Sequence, residues 1–361
     1  MKKTTLYSIH SQLQGKLVEF AGYMMPVQYS SIIAEHKAVR TSAGVFDVSH
    51  MGEVFVKGPG ALDFVQHITV NDASKLSSGR VQYSAMLYED GGIVDDLLVY
   101  RIAEEEFLLV INASNIDKDF AWMQKQNHFD AVLDNRSDAY SLIAVQGPVS
   151  RTVVERVFGK EFPMEYYHFE VITYEDREII VSRTGYTGEL GYEIYFTGDE
   201  AFASSLWNKI FEAGKEFGIL PAGLGCRDSL RLEMGYCLYG NDIDQTTNPL
   251  EAGLGWITKL KKDSFIGKEA LLKVKEAGLT RKLVPLLVEE KAFPRHGYDV
   301  VMGEEKIGYL TSGTVSPILE KGIALAYVAT QYAAEGTEVS FLVRGKAVPA
   351  KVVKLPFVSK Q

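Results

Sequence analysis

The sequence predicts an α+β protein that ends in a small all-β unit. Three observations carry this. Between residues 54 and 126 the apolar pattern reads strand, helix, strand, strand, strand, helix, a compact unit around a meander. Amphipathic helical patterns then recur after Ser114, Gly147, Asp199 and Pro221. After Thr280 the character changes. Short β-like runs alternate with turns at 282–289, 298–302, 306–311, 323–328, 337–343 and 346–354, which suggests a small barrel or sandwich. A length of 361 residues allows two or three domains, and we place a boundary near 278–281.

In chain order, residues 1–30 mix short apolar pieces with Gly15, Gly22 and Pro26. Ser30 or Ser31 caps a helix that runs to about Ser42 and stops at Gly44. Val54–Lys57 is a strand and Ala61–Thr69 a short helix, with Leu62, Val65 and Ile68 at helical spacing. Val81–Tyr88 and Ile93–Arg101 form a hairpin across Glu89-Asp90-Gly91-Gly92, residues that tolerate positive φ. Phe107–Asn112 is a further strand. Ser114, with Asp117 three residues on, predicts a capped helix burying Ile116, Phe120 and Met123. Gln146-Gly147-Pro148 opens the next helix, with Pro in its first turn. Strands follow near 166–172 and 178–183. Asp199 caps a helix bearing Phe202, Leu206 and Ile210. Pro221–Gly235 carries Cys226, Leu230 and Met234 on one stripe and Arg227 and Arg231 on another. The last helix is Lys268–Ala277, ended by Gly278.

Composition narrows the function. A net charge of −9 argues against a nucleic-acid partner, whose binding runs on basic patches. No apolar run approaches the ~20 residues of a membrane span, and the N-terminus shows no secretory h-region. Cys226 and Cys237 make no C-x-x-C and lie near no His cluster, so neither a metal site nor a disulfide framework is expected, and a reduced cytoplasmic setting fits. The 19 Tyr and 18 Phe suit a planar, polar ligand and suit an ordinary core equally well.

Four stretches carry candidate chemistry. In Ile93-Val94-Asp95-Asp96-Leu97-Leu98-Val99-Tyr100 strand alternation sends the two acids to opposite faces. They cannot serve one site together, which disfavours a paired acid and base. Either both are tied into local hydrogen bonds on an edge strand, or one is held at a site floor. Arg183–Phe196 has glycines at 185, 188 and 191, but no Lys accompanies them and a strand follows, so the likeness to a phosphate loop is superficial. In that strand Glu193 and Tyr195 lie opposite Ile194 and Phe196. His50 is either a base or a satisfied loop histidine, and no Ser or Cys nucleophile motif supports the first. Arg227 and Arg231 divide between surface ion pairs and ligand binding, and Lys259, Lys261 and Lys262 between a solvated loop and an acidic partner.

These pieces together resemble the T-proteins of the glycine cleavage system, the folate-dependent aminomethyltransferases. The resemblance rests on Phe46–Glu53, Gly91–Leu97, Val145–Pro148, Arg183–Glu189, Ala222–Glu233, Leu238–Asp242 through Trp256, and Ile266–Leu271, in the family's order and over nearly the whole chain. It implies three subdomains around a central channel. Two are interleaved α+β units in a folate-binding region over 1–278, the second at roughly 54–135, and the third is a C-terminal β-barrel over 279–361. It also implies the reaction: an aminomethyl group on the lipoyl arm of the H-protein gives its methylene to tetrahydrofolate. The products are ammonia, 5,10-methylenetetrahydrofolate and dihydrolipoyl carrier.

By the same resemblance Asp96 is the functional aspartate, Glu193 the pterin-binding acid and Arg227 a ligand contact. Met51, Tyr83, Val110, Asn112, Tyr186, Tyr236 and Trp256 match folate-contacting positions. Cys226 stands where relatives carry a small residue and reads as a packing variant. A non-enzymatic folate-binding module of the same fold is the alternative. Its Lys-Gly-Cys-Tyr stretch is absent, with Met234–Asn241 in its place. A demethylating oxidase of related fold would carry a flavin domain, and no dinucleotide fingerprint is present.

Overall fold

The computed structural model describes residues 1–290 and 292–359. Two compact units emerge. The first comprises Met1–Val65, Ala73–Gln82 and Leu97–Asp228, the second Gln66–Asp72, Tyr83–Asp96 and the chain from Ser229 on.

The chain opens with α1 (Tyr7–Gln12) and a hairpin of β1 (Lys16–Phe20) and β2 (Tyr23–Gln28). Next comes α2 (Ile32–Thr41), where Ser31 Oγ accepts the Ala34 N–H as the N-cap. After β3 (Gly44–Asp47) come β4 (Gly52–Lys57), α3 (Ala61–Ile68), β5 (Arg80–Leu87), β6 (Ile93–Ala103), β7 (Glu106–Ile111), α4 (Ile116–Gln126) and β8 (Val132–Asn135). The strand–helix–strand–strand–strand–helix order is as expected. Ser114, however, lies in a 3₁₀ turn, and Asn115 takes the N-cap position with no side-chain capping bond. These strands form a sheet ordered β5-β6-β7-β4-β8. β6 is therefore an inner strand, and the edge-strand reading of the acid pair fails. It lies between β5 and β7, with its pairing to β7 running from Leu98 onward, and strand alternation sends its two acids to opposite faces of the sheet.

A second sheet is built from β9 (Tyr140–Gln146), β10 (Phe169–Tyr174), β11 (Arg177–Ser182), β12 (Gly191–Thr197) and β13 (Leu220–Pro221), ordered β10-β11-β12-β9-β3-β13. The helix after β9 is α5 (Ser150–Phe158), which starts beyond Pro148. Then comes α6 (Glu200–Gly214), capped by Asp199 through the Phe202 N–H. Val45, Ile143, Val145, Ile194, Phe196, Val153, Leu206, Trp207 and Ile210 form one buried cluster. Each such large side chain contributes about 1.5–3 kcal/mol on burial. Because Ile194 and Phe196 point into this core, Glu193 and Tyr195 are sent to the other face.

α7 (Leu224–Glu233) follows, then α8 (Lys268–Ala277) and a closed barrel of β14 (Arg281–Val288), β15 (Asp299–Met302), β16 (Glu305–Val315), β17 (Gly322–Ala329), β18 (Glu338–Val343) and β19 (Lys346–Val352). Barrel rather than sandwich is the outcome. Val284, Leu286 and Val288, Ala324, Ala326 and Val328, and Val348, Ala350 and Val352 point inward at every second residue. Closure leaves no unpaired edge. Cys226 and Leu230 are buried. Arg231 is buried too and is not a surface residue: it bonds Asp242 at 2.6 Å, Ser312 at 2.7 Å and the Tyr236 carbonyl at 3.0 Å. No described helix is long and apolar enough to cross a membrane.

Candidate active site

In the first unit a polar cluster gathers around Glu193. Leu98 on β6 stands opposite Val110 on β7, which stands opposite Glu53 on β4, so these three share one sheet face. Tyr100, two residues beyond Leu98, shares it. The Tyr100 hydroxyl meets Tyr195 Oη at 2.9 Å, Ser182 Oγ at 3.1 Å and Thr184 Oγ1 at 3.2 Å. Thr184 donates to Glu193 Oε2, and Tyr195 Oη lies 3.5 Å from the same oxygen. Burial raises the Glu193 pKa against the opposing pull of Thr184, Arg227 and Tyr195. The Arg227 guanidinium sits 4.6 Å over the Tyr186 ring, within reach of Glu193 in charge terms, and makes no hydrogen bond among the described residues.

The glycines of the segment around Tyr186 face a protein side chain. A Cβ on Gly185 would lie 2.0 Å from Gln146 Oε1, and one on Gly191 2.3 Å from the Gln146 amide carbon. These glycines make room for the buried Gln146 side chain, which donates to the Thr184 carbonyl at 3.1 Å and accepts from Thr187 at 2.9 Å. Arg40 ties the far end of the segment, bonding the Thr187 carbonyl at 2.6 Å and Glu189 at 2.8 Å.

Two buried groups lie at and just before the start of β4: His50, which the sequence leaves open between a base and a satisfied loop histidine, and Glu53, which sequence reasoning did not single out. His50 is buried but not satisfied: its Nδ1 has no hydrogen-bond partner among the described residues. Burial first and Arg227 second lower its pKa to about 4, against the opposing pull of Asp47, so the imidazole is neutral. Glu53 is 1% exposed, its Oε2 also lacks a partner, and burial holds its carboxyl protonated far above the usual range. The signal in the sequence was an acid inside a Val/Phe strand. Neighbouring Asp47, by contrast, is fully bonded by Thr4 at 2.6 Å, His10 at 2.7 Å and the Ser49 N–H at 2.9 Å. Of the remaining positions in this unit, Val110 is buried, and Met51 and Asn112 are half-buried at the ends of β4 and β7.

In the second unit Asp95 is fully buried while Asp96 is half-buried and accepts the Tyr83 hydroxyl at 2.8 Å. The Tyr83 and Trp256 rings lie 6.0 Å apart, and Trp256 is 62% exposed. The start of β6 is wrapped by backbone. Ile93 donates to the Asp244 and Thr247 carbonyls, both at 3.1 Å, and Tyr239 bonds the Ile93 carbonyl at 3.2 Å. Tyr236 is half-buried, its backbone N–H bonded to the Arg231 carbonyl. Cys237 is buried and its thiol is pushed well above the usual range, first by burial and then by Asp242 and Asp96. It is a poor nucleophile. The three lysines separate. Lys262 is buried and donates to the carbonyls of Gln66, Thr69 and Asn71 at 2.7, 2.6 and 2.9 Å, whereas Lys259 and Lys261, with Lys275, line a cavity of about 550 Å³.

Residues 6–262 match the family model described as the GCVT N-terminal domain, and residues 281–359 match the glycine cleavage T-protein C-terminal barrel domain. The chain belongs to the glycine cleavage T-protein family. A protein named aminomethyltransferase from Halothermothrix orenii is 51% identical over 99% of this chain and 100% of its own length. Another of that name, from Flavobacterium psychrophilum, is 51% identical over 100% of both chains. The crystal structure of glycine cleavage system aminomethyltransferase T from Bartonella henselae superposes with a TM-score of 0.92, at 35% identity, over 99% of this chain and 98% of that one. This T-protein family member is accordingly an aminomethyltransferase of the glycine cleavage system.

Proposed function

We propose that the chain works with tetrahydrofolate and a lipoylated carrier, the H-protein, in the cytoplasm, and that Asp96 is its catalytic residue. The observation that carries the choice of Asp96 is the unequal burial of the acid pair: Asp95 is closed off, while Asp96 keeps a half-buried carboxylate that accepts the Tyr83 hydroxyl. Loss of ammonia from the carrier's S–CH2–NH3⁺ group develops positive charge on the departing carbon. A fixed carboxylate stabilises that charge and orients the proton that must move. Tyr83 holds it in place, and strand β6 supplies the rigidity.

Glu193 serves the pterin. The 2-amino and N3–H groups of that ring form a paired donor edge that a carboxylate accepts with both oxygens. Burial strengthens these bonds, and Arg227 supplies a donor for the pterin oxygen. Tyr186, Met51, Val110, Asn112, Tyr83, Tyr236 and Trp256 are assigned to folate contact on the same reading. The decisive assay presents aminomethylated H-protein with and without tetrahydrofolate and follows ammonia. Release strongly accelerated by folate is expected, and release indifferent to folate would overturn the proposal.

A further inference from the structure

We propose that the hydroxyls of Tyr195, Tyr100, Ser182 and Thr184 form one directed chain that makes Thr184 and Tyr100 positioning residues for Glu193, holding it as the acceptor of the pterin's donor edge. This rests on the reading of Glu193 as the pterin-binding acid.

The direction of the chain follows from counting protons, since each hydroxyl has one to give. A carboxylate oxygen only accepts, so Thr184 spends its proton on Glu193 Oε2. Ser182 Oγ, 2.9 Å from Thr184 Oγ1, must then be the donor of that pair. Tyr100 donates to Ser182 at 3.1 Å. Tyr195 has two acceptors in range, Tyr100 at 2.9 Å and Glu193 at 3.5 Å, and the shorter contact takes its proton. The order Tyr195, Tyr100, Ser182, Thr184, Glu193 leaves no hydroxyl proton unused.

Every member is at least nine-tenths buried, so water does not substitute for a lost link. The links come from β6, β11, β12 and the segment after β11, which makes the orientation of one carboxylate depend on two sheets. With Oε2 already accepting from Thr184, a proton taken up by Glu193 must settle on Oε1 unless the whole chain reverses. That proton turns an acceptor into a donor facing a donor edge, so folate affinity rises with pH as Glu193 ionises. Removing the Thr184 hydroxyl withdraws a bond that favours the ionised form and moves this rise to higher pH.

Arg227, Tyr195 and Tyr100 are the charged and titratable groups facing Glu193, and Glu53 acts on Tyr195 from β4. Both tyrosines ionise far above neutrality and Arg227 stays charged. Among the described residues Glu53 is therefore the other group to control for, and Glu53→Gln provides the second background.

The test measures the Kd of 5-methyltetrahydrofolate, an oxygen-stable probe with the same donor edge, between about pH 5.5 and 8.5 in both backgrounds. Thr184→Val is expected to weaken binding about tenfold at neutral pH and to raise the midpoint of the Kd–pH curve by about one unit. Thr184→Ser restores the hydroxyl and is expected to stay within about twofold of the parent. Tyr100→Phe moves both readouts in the same direction by a smaller amount. A Thr184→Val protein with the parental Kd and midpoint overturns the inference, as does Thr184→Ser failing as badly as Thr184→Val. If Thr184→Val does not fold, Thr184→Ser and Tyr100→Phe still decide: a Tyr100→Phe curve that overlays the parent's is the overturning result. A parent chain that binds the probe with no dependence on Glu193, shown by a silent Glu193→Gln, defeats the pterin assignment itself, and this inference with it.

Discussion

Asp95 and Asp96 are chemically equivalent neighbours, and the pleat of β6 gives them different fates. Asp95 is sealed while Asp96 remains half-buried on Tyr83. Asp96→Asn is expected to keep folate affinity within several-fold and to lower turnover by about 10²–10³. Turnover lost at Asp95→Asn with Asp96→Asn fully active would show the assignment reversed. Glu193→Ala is expected to act mainly on folate affinity, and unchanged calorimetry would remove it from the pterin site. Glu53 makes a statement about stability. Its folded pKa stands above its unfolded one, so the native state keeps a proton that the unfolded chain releases. The corresponding stability is whole below the unfolded pKa, ~4.3, and is lost as pH rises toward the folded value. Glu53→Gln carries no such loss. Its melting temperature relative to the parent is expected to climb as pH rises above the unfolded pKa, and a difference that does not vary with pH would contradict the protonated, unpartnered carboxyl.

Periodicity made most elements legible, and the exceptions have physical reasons. β9 is a run of seven buried residues at the centre of its sheet, with no alternation to betray it. The alternation in β12 was legible, because one face of that strand meets an apolar core and the other does not. The Glu89–Gly92 turn was read from its residue types, and the structure adds why Gly92 cannot vary. A Cβ there would stand 2.1 Å from the Gln245 carbonyl oxygen, which is backbone and cannot rotate away. Gly92→Ala is expected to cost roughly 2–3 kcal/mol in denaturant unfolding and to lower turnover by displacing the strand that presents Asp96. An unchanged urea midpoint would show that the loop 239–247 yields without cost.

At the scale of the whole molecule, ligand binding and folding are linked. Tetrahydrofolate at a hundredfold excess over its Kd is expected to stabilise the chain by about 2.7 kcal/mol, read as a rise of a few degrees in melting temperature. Asp96→Asn should keep that rise and Glu193→Ala should diminish it. A chain whose melting is indifferent to tetrahydrofolate would not be a folate protein. The sequence alone determined the α+β class, the short strands of the last quarter, a cap at Ser30 or Ser31 and another at Asp199, the opposed faces of Asp95 and Asp96, and the family, because pattern and period are properties of neighbouring residues. Only tertiary structure decided which acid is sealed, that β6 is an inner strand, that Arg231 and Lys262 are buried donors, and that Tyr100 reaches hydroxyls 82 to 95 residues away. Burial and hydrogen-bond partners are set by segments that meet only when the chain has folded, and no local period records which segments those are.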